Sequence, residues 1–326
     1  MKAFVHQNDE LKFININLPS LDPQEILIDI KVAGLNRRDL YVPRLRKGAK
    51  DPLVLGSDGA GVVAAIGDQV TRVSVGDKVI INPALGWFEK SAAPPENFEI
   101  LGMPDDGTFA EKLIIDAAQV ERKPDHLSWE ETGVLGLASL TGFRAMFTRG
   151  NLQAGETVFI PGAGSGVATF LIMFAKSIGA RVIVTSRSEK KRQQALQLGA
   201  DRALDTAADW ADQLQDETID LVIESVGAAT FNRSLSVLKR GGKIVVFGAT
   251  TDDIVDFNLR EFFYGQYDLL GSTMGSREEF RAMLKFVRDY EIRPVIDQIY
   301  PFAEITTALE QIKKSTQFGK LAIKIT

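Results

Sequence analysis

The 326-residue chain contains no cysteine at all. That removes disulfides, thiolate nucleophiles and every zinc site built on sulfur. Histidine is almost as scarce, with only His6 and His126, far apart in the sequence. Zinc wants nitrogen or sulfur ligands, and two imidazoles cannot complete a site, so a zinc enzyme is nearly excluded. Neither Cys/His nucleophilic chemistry nor a serine–histidine hydrolase finds support. Positive charge is not in excess: 38 Lys and Arg stand against 43 Asp and Glu, for a net charge of -5. No global positive field exists to gather nucleic acid or anionic lipid, so neither is an expected partner. No apolar run of leader type follows Met1 and Lys2, and a cytoplasmic location is the default expectation. The uncharged stretch from Thr157 to Ala175 is interrupted early by Pro161, Gly162, Gly164 and Gly166. It reads as strand, turn and buried helix rather than a membrane span.

What is present is an ordinary globular composition, 45% hydrophobic and 25% charged, in a chain long enough for about two domains. Short strands with turn punctuation fill the first part, at Lys2–His6, Leu11–Asn17, Glu25–Ala33, Gly61–Ile66, Lys78–Asn82 and Thr108–Ile115, and predict a barrel-like β domain. An irregular excursion from Trp87 to Gly107 reads as a surface lobe. From about Leu152 the pattern changes to alternating strand and helix, which forces a parallel sheet. Its strands are expected at Thr157–Pro161, Arg181–Ser186, Ala203–Leu204, Ile219–Ser225, Lys243–Phe247 and Leu269–Thr273. A helix at Glu278–Asp289, a strand near Ile296–Tyr300, a helix at Ile305–Lys313 and a strand at Leu321–Ile325 follow, with the last strands returning to the β domain. The expected division is 1–125 with 275–326 for the β domain, and 126–274 for the doubly wound α/β domain.

The turn after Thr157–Pro161 runs Gly162-Ala163-Gly164-Ser165-Gly166-Val167-Ala168 into an apolar helix. Small residues let the backbone approach a pyrophosphate, and the helix start offers unpaired N–H groups. A generic glycine-rich turn is the competing reading, because Val167 fills the slot of the third glycine in the Gly-x-Gly-x-x-Gly pattern. About 20 residues on, where an NAD-preferring fold usually places an acid for the ribose 2′-hydroxyl, the chain has Ser186-Arg187-Ser188. Ser186 and Arg187, with the run Lys190, Lys191 and Arg192, are suited to a 2′-phosphate, so NADPH is favoured over NADH. For Lys191 and Arg192 a solvated helix face is the stronger reading. Val226-Gly227 and Phe247-Gly248 end the next two strands at the carboxyl edge, where ligands of open α/β sheets bind.

Taken together, these residues resemble the medium-chain dehydrogenase/reductase superfamily, and more closely its zinc-free quinone oxidoreductase-like branch. The resemblance covers nearly the whole chain. It rests on residues 33–41 (Ala-Gly-Leu-Asn-Arg-Arg-Asp-Leu-Tyr), 55–63 (Leu-Gly-Ser-Asp-Gly-Ala-Gly-Val-Val), Val75-Gly76-Asp77-Lys78-Val79, Gly107-Thr108-Phe109-Ala110-Glu111, the turn at 162–168, and Leu198-Gly199-Ala200-Asp201. It implies a GroES-like β-barrel catalytic domain, a Rossmann domain, and a nicotinamide between them. The family's catalytic zinc is held by Cys, His and Cys in segments that match here at Asn36, Ser57 and Leu137, and its structural zinc by four cysteines in a lobe that matches 87–107. All these ligands are missing.

Without a Lewis acid, hydride transfer favours acceptors that delocalise the new charge themselves: quinones, α,β-unsaturated carbonyls or 1,2-dicarbonyls. By residue type alone, Asn36 reads as a turn amide and Tyr41 as a wall aromatic. The resemblance instead implies Asn36 as a hydrogen-bond donor to the acceptor oxygen, worth ~3 kcal/mol for one well-placed donor, and Tyr41 or solvent as the proton source. Asp39 and Asp58 read chiefly as buried carboxylates that hold the loop. The resemblance also assigns Arg37 to the cofactor phosphates, Thr141 to the nicotinamide side, and Gly271, Ser272 and Thr273 to the carboxamide. The expectation is an NADPH-dependent reductase of quinones or activated enones. The alternatives are a catalytically silent NADPH-binding sensor or structural protein, and an enoyl-thioester reductase. A homodimer formed through the sixth strand, at Tyr267–Gly271, is expected by analogy.

Overall fold

A computed structural model describes residues 1–326. The chain divides into two compact units, 1–140 with 275–326, and 141–274. The first division falls between 140 and 141, where the sequence reading placed it between 125 and 126. The reason is local: the short helix Trp129–Gly133 packs on strands Glu25–Gly34 and Asp58–Ile66 and so belongs to the barrel.

The first unit is built on strand Glu25–Gly34, whose alternating burial gives it one core face. It pairs antiparallel with Asp58–Ile66, with Lys112–Asp116 and, at its far end, with the C-terminal strand Lys320–Lys324. The return of the tail to the β domain is thus seen directly. A smaller sheet joins Glu10–Asn15, Lys2–Gln7 and Leu53–Val54. The strand expected at Thr108–Ile115 begins only at Lys112. The preceding residues instead bond to other chain segments: Phe109 donates its N–H to Leu55 and accepts from Phe4, and the Thr108 hydroxyl donates to the Asp58 carbonyl.

The excursion at 87–107 is not wholly superficial. Trp87 is fully buried and meets Phe98 edge-on with ring centroids 5.3 Å apart. Its indole N–H donates to Ser91 Oγ at 2.9 Å, and its carbonyl and that of Phe88 accept from the first turn of helix Arg277–Asp289. Aromatic packing holds this lobe together.

The second unit is the doubly wound α/β domain. Its strands are β1 (Thr157–Ile160), β2 (Arg181–Ser186), β3 (Arg202–Asp205), β4 (Ile219–Glu224), β5 (Leu238–Val246) and β6 (Asp268–Gly271). All pairs are parallel and the spatial order is 3-2-1-4-5-6, the Rossmann order. Helices α1 (Gly166–Ser177) and α2 (Glu189–Gln197) follow β1 and β2. β6 has a neighbour on one side only and ends at Gly271, so Ser272 and Thr273 lie just past the strand rather than in it. No helix is long and apolar enough to cross a membrane.

Candidate active site and cofactor turn

In the Rossmann unit, the turn between β1 and α1 needs glycine at two places. Gly162 and Gly164 sit at φ +81° and +116°, a region most side chains avoid. A Cβ on Gly162 would lie 3.0 Å from Val226 Cγ2, and one on Gly164 would lie 2.8 Å from Lys191 Cδ. The turn is tied to β2 through Thr185, whose hydroxyl and carbonyl accept from Gly162 N and Ala163 N at 3.2 and 2.7 Å. Ser165 caps α1 by accepting from Ala168 N, while the N–H groups of Gly166 and Val167 have no acceptor in the chain. Val167, at the third-glycine slot, is half-buried. A site with free donors at the positive end of a 12-residue helix fits an anionic phosphate group.

The neighbouring residues divide into those committed to the fold and those left for a ligand. Ser186 is buried at the tip of β2 and its Oγ accepts from Ser188 N at 3.2 Å. Arg187 is exposed and has no hydrogen bond or ion pair within the protein. Arg192 is otherwise engaged, reaching Ser186 O at 2.7 Å, Asp205 at 2.9 Å and Glu189. Asp205, an acid near this corner, is therefore already neutralised by Arg192. Lys191 is not merely solvated, since its stem lies over Gly164.

Sequence reasoning missed Glu224, which organises the Val226-Gly227 turn. Its fully buried carboxylate accepts from Val226 N (2.7 Å), Gly227 N (3.3 Å), Thr230 Oγ1 (3.0 Å) and Ser234 Oγ (2.9 Å). Gly227 is at φ +94°, with a Cβ excluded by the Asp252 carbonyl at 2.6 Å. Phe247 N donates to Glu224 O, and Gly248 follows at the same edge. Past β6, Ser272 N is bonded to Val246 O, but its buried hydroxyl has no partner. Thr141 is buried, with its hydroxyl 3.7 Å from Met274 Sδ. A free arginine, an orphaned hydroxyl and a glycine cradle together fit a phosphorylated nucleotide cofactor held along the carboxyl edge.

In the barrel unit, Asn36 and Tyr41 flank the one-turn 3-10 helix Arg37–Leu40. The Asn36 N–H donates to Asp39 Oδ2 at 2.7 Å. Its side chain is drawn into a buried polar cluster. Asn36 Nδ2 donates to Asp58 Oδ2 at 2.9 Å, and the Lys320 ammonium donates to Asn36 Oδ1 (2.6 Å), Asp58 Oδ2 (2.9 Å) and Leu35 O (2.8 Å). Leu137 N donates to the other Asp58 oxygen at 2.6 Å. Asp58 is 0% exposed and Lys320 3%. Beside the cluster, Arg38 Nη1 donates to Ser57 Oγ and to Leu101 O, and burial lowers the Arg38 pKa despite Asp39 and Asp58 nearby.

Asp39 is buried with its Oδ1 unpartnered. Burial pushes its carboxyl up to about 7, against the lowering effects of the Asn36 N–H and of Arg38 and Lys320. Tyr41 is 42% exposed, and nothing in the protein hydrogen-bonds its hydroxyl. Arg37 is exposed and donates to Ser315 Oγ at 2.8 Å, at the end of helix Ile305–Lys314.

The three positions that match zinc ligands thus hold an amide that faces an ammonium, a hydroxyl engaged by Arg38, and an alkyl side chain. A lysine ammonium already sits against Asn36 and Asp58, so a divalent cation there would meet like charge. This donor set does not fit zinc. Lys320 itself was missed at the sequence level, because a lysine opening a short apolar strand reads as a solvated strand end.

Comparison with known proteins agrees with this architecture. Residues 22–125 match the family described as alcohol dehydrogenase GroES-like domain, and residues 166–289 that described as zinc-binding dehydrogenase. A zinc-type alcohol dehydrogenase-like protein of Leptosphaeria maculans is 32% identical, over 95% of this chain and 93% of its own. An acryloyl-coenzyme A reductase of Metallosphaera sedula is 30% identical over 92% of each chain. Among solved structures, an NAD-dependent alcohol dehydrogenase superposes with a TM-score of 0.92 at 30% identity, over 100% of both chains. The chain belongs to the medium-chain dehydrogenase/reductase superfamily, a superfamily of oxidoreductases.

Proposed function

We propose that the protein is a zinc-independent, NADPH-dependent reductase of quinones or other activated α,β-unsaturated carbonyls. The observation that carries the reading is the barrel cluster itself: where a metal would polarise a carbonyl, the chain offers the Asn36 amide, supported by Asp58 and Lys320. One amide donor supplies on the order of 3 kcal/mol. That is modest beside a metal's Lewis acidity, and it suits acceptors that spread incoming charge over a conjugated system.

In this reading the glycine turn Gly162–Val167 and the α1 N-terminus hold the pyrophosphate. Ser186 and Arg187 take the 2′-phosphate with Lys191 beside the turn, Arg37 adds charge toward the phosphates, and Val226, Gly227, Phe247 and Gly248 line the edge. Thr141, Gly271, Ser272 and Thr273 take the nicotinamide side, Ser272 with a hydroxyl free to bond a carboxamide. When bound, a dihydronicotinamide supplies a hydride. Asn36 donates to the acceptor oxygen as charge gathers there, and the proton follows from water or from Tyr41, an exposed phenol. That both units serve one reaction is what membership of the superfamily implies.

The test is NADPH oxidation against a panel of quinones, enones and enoyl-coenzyme A thioesters. Turnover with quinones or simple enones is expected. Turnover confined to thioesters would support the second reading, which the similarity to an acryloyl-coenzyme A reductase favours. Cofactor binding with no acceptor used would leave a nicotinamide-binding sensor.

We also propose a homodimer. β6 is an edge strand with unpaired backbone groups, and Leu259, Phe263, Tyr264 and Leu269 are exposed near it. Sedimentation as a dimer at micromolar concentration is expected, and a monomer would refute it.

A further inference from the structure

The orientation of the Asn36 carboxamide is settled by the chemistry of its neighbours. An ammonium can only donate, so the atom 2.6 Å from Lys320 Nζ must be the amide oxygen. Asp58 Oδ2, which already accepts from Lys320, then receives one of the two amide hydrogens. All three Lys320 protons are used, on Leu35 O, Asn36 Oδ1 and Asp58 Oδ2. The second hydrogen on Asn36 Nδ2 has no protein acceptor. Asn36 retains 7% exposure, so this hydrogen is the cluster's one uncommitted donor. A cation on the oxygen of an amide also draws electron density from its nitrogen and strengthens the N–H as a donor.

We propose that Lys320 is a positioning residue for the reaction: anchored on Asp58, it locks the Asn36 carboxamide nitrogen-outward and polarises it, so that its free N–H can bond the acceptor oxygen. The inference rests on the proposed role of Asn36. No proton or electron passes through Lys320. Without it the amide loses the group that fixes its flip, and the oxygen can turn outward and repel the developing negative charge.

The experiment compares Lys320→Met, Lys320→Arg, Asn36→Ala and the Asn36→Ala/Lys320→Met double variant in the full-length protein. It reads kcat and KM with an accepted quinone or enone, NADPH binding by fluorescence, and the Asn36 side-chain amide resonances by NMR without cofactor. Lys320→Met is expected to lower kcat about 10²-fold, the loss typical of one oxyanion donor, with NADPH affinity unchanged. Lys320→Arg should recover part of that loss. The double variant should be no slower than Asn36→Ala alone, because both act through one amide. The two Asn36 amide protons should be well separated in the wild type and move together in Lys320→Met. Should Lys320→Met fail to fold because Asp58 is left uncompensated, Lys320→Met/Asp58→Asn replaces it, with the same loss in kcat expected. Additive losses in the double variant, or unchanged amide resonances, would overturn the inference. If Asn36→Ala has full activity, it is the proposed role of Asn36 that fails. If Asn36→Ala is slow and Lys320→Met is not, only the role of Lys320 fails.

Discussion

Asp39 offers a quantitative check on the barrel cluster, because its burial makes folding stability depend on pH in an unusual direction. Its carboxyl is raised from 3.8 to about 7, with desolvation as the largest cause. Between those values the unfolded chain releases the proton and the folded one keeps it. The contribution is therefore fully present below about pH 4 and is lost as pH rises through 7. At about 1.4 kcal/mol per pH unit the whole loss comes to about 4.4 kcal/mol, and about 2.5 kcal/mol of it falls between pH 5 and pH 8. Asp39→Asn removes the titration while keeping an oxygen for the Asn36 N–H, which now lies 2.7 Å from Oδ2. Urea unfolding of both proteins at pH 5 and pH 8, followed by tryptophan fluorescence, isolates the effect, since all other titrating groups cancel in the difference. The variant should gain about 2.5 kcal/mol on the wild type from pH 5 to pH 8. A difference independent of pH, or one that shifts toward the wild type at pH 8, would refute the assignment of a carboxyl destabilised by burial.

Three further outcomes are expected. Arg187→Ala should weaken NADPH binding about 10- to 100-fold, the worth of a charge-assisted hydrogen bond, and leave NADH nearly unchanged; titration calorimetry with both cofactors decides, and equal losses would mean the 2′-phosphate lies elsewhere. Glu224→Gln puts an NH2 donor in place of one of the carboxylate oxygens that accept from Val226 N, Gly227 N, Thr230 Oγ1 and Ser234 Oγ and should cost about 2–3 kcal/mol of stability, with weaker cofactor binding because the Val226-Gly227 turn shifts; thermal unfolding and the same calorimetry measure both. Gly164→Ala, at φ +116°, should cost about 1–2 kcal/mol in backbone strain and crowd Lys191, and unchanged NADPH affinity in this variant would argue against the turn as the phosphate site.

Much of the fold was legible because burial patterns are local. The run Arg181–Ser186 carries three consecutive β-branched apolar residues, Val182 to Val184, and reads as a buried strand, and the switch from alternating strands to strand-plus-helix near Leu152 marked the second architecture. Less was legible where pairing is made at long range. Thr108–Ala110 has strand composition, yet its partners Phe4, Leu55 and Asp58 are distant in sequence and take it out of the regular ladder. The same limit applies to the polar clusters. Asn36 and Asp58 could be singled out from their motifs, whereas Lys320 joins them from 284 and 262 residues away. Only the return of the last strand to Glu25–Gly34 brings it there. Arg192 shows the converse: a basic run beside a nucleotide turn is in part consumed by an internal ion pair with Asp205, whose place at the tip of β3 no spacing rule announces.

The most direct measurement is metal content together with activity after exhaustive chelation. The purified protein is expected to hold far less than one zinc per chain and to reduce quinones or enones with NADPH at the same rate before and after treatment with a strong chelator. Stoichiometric zinc, with activity lost on chelation and restored by the metal, would contradict a site built from Asn36, Asp58 and Lys320.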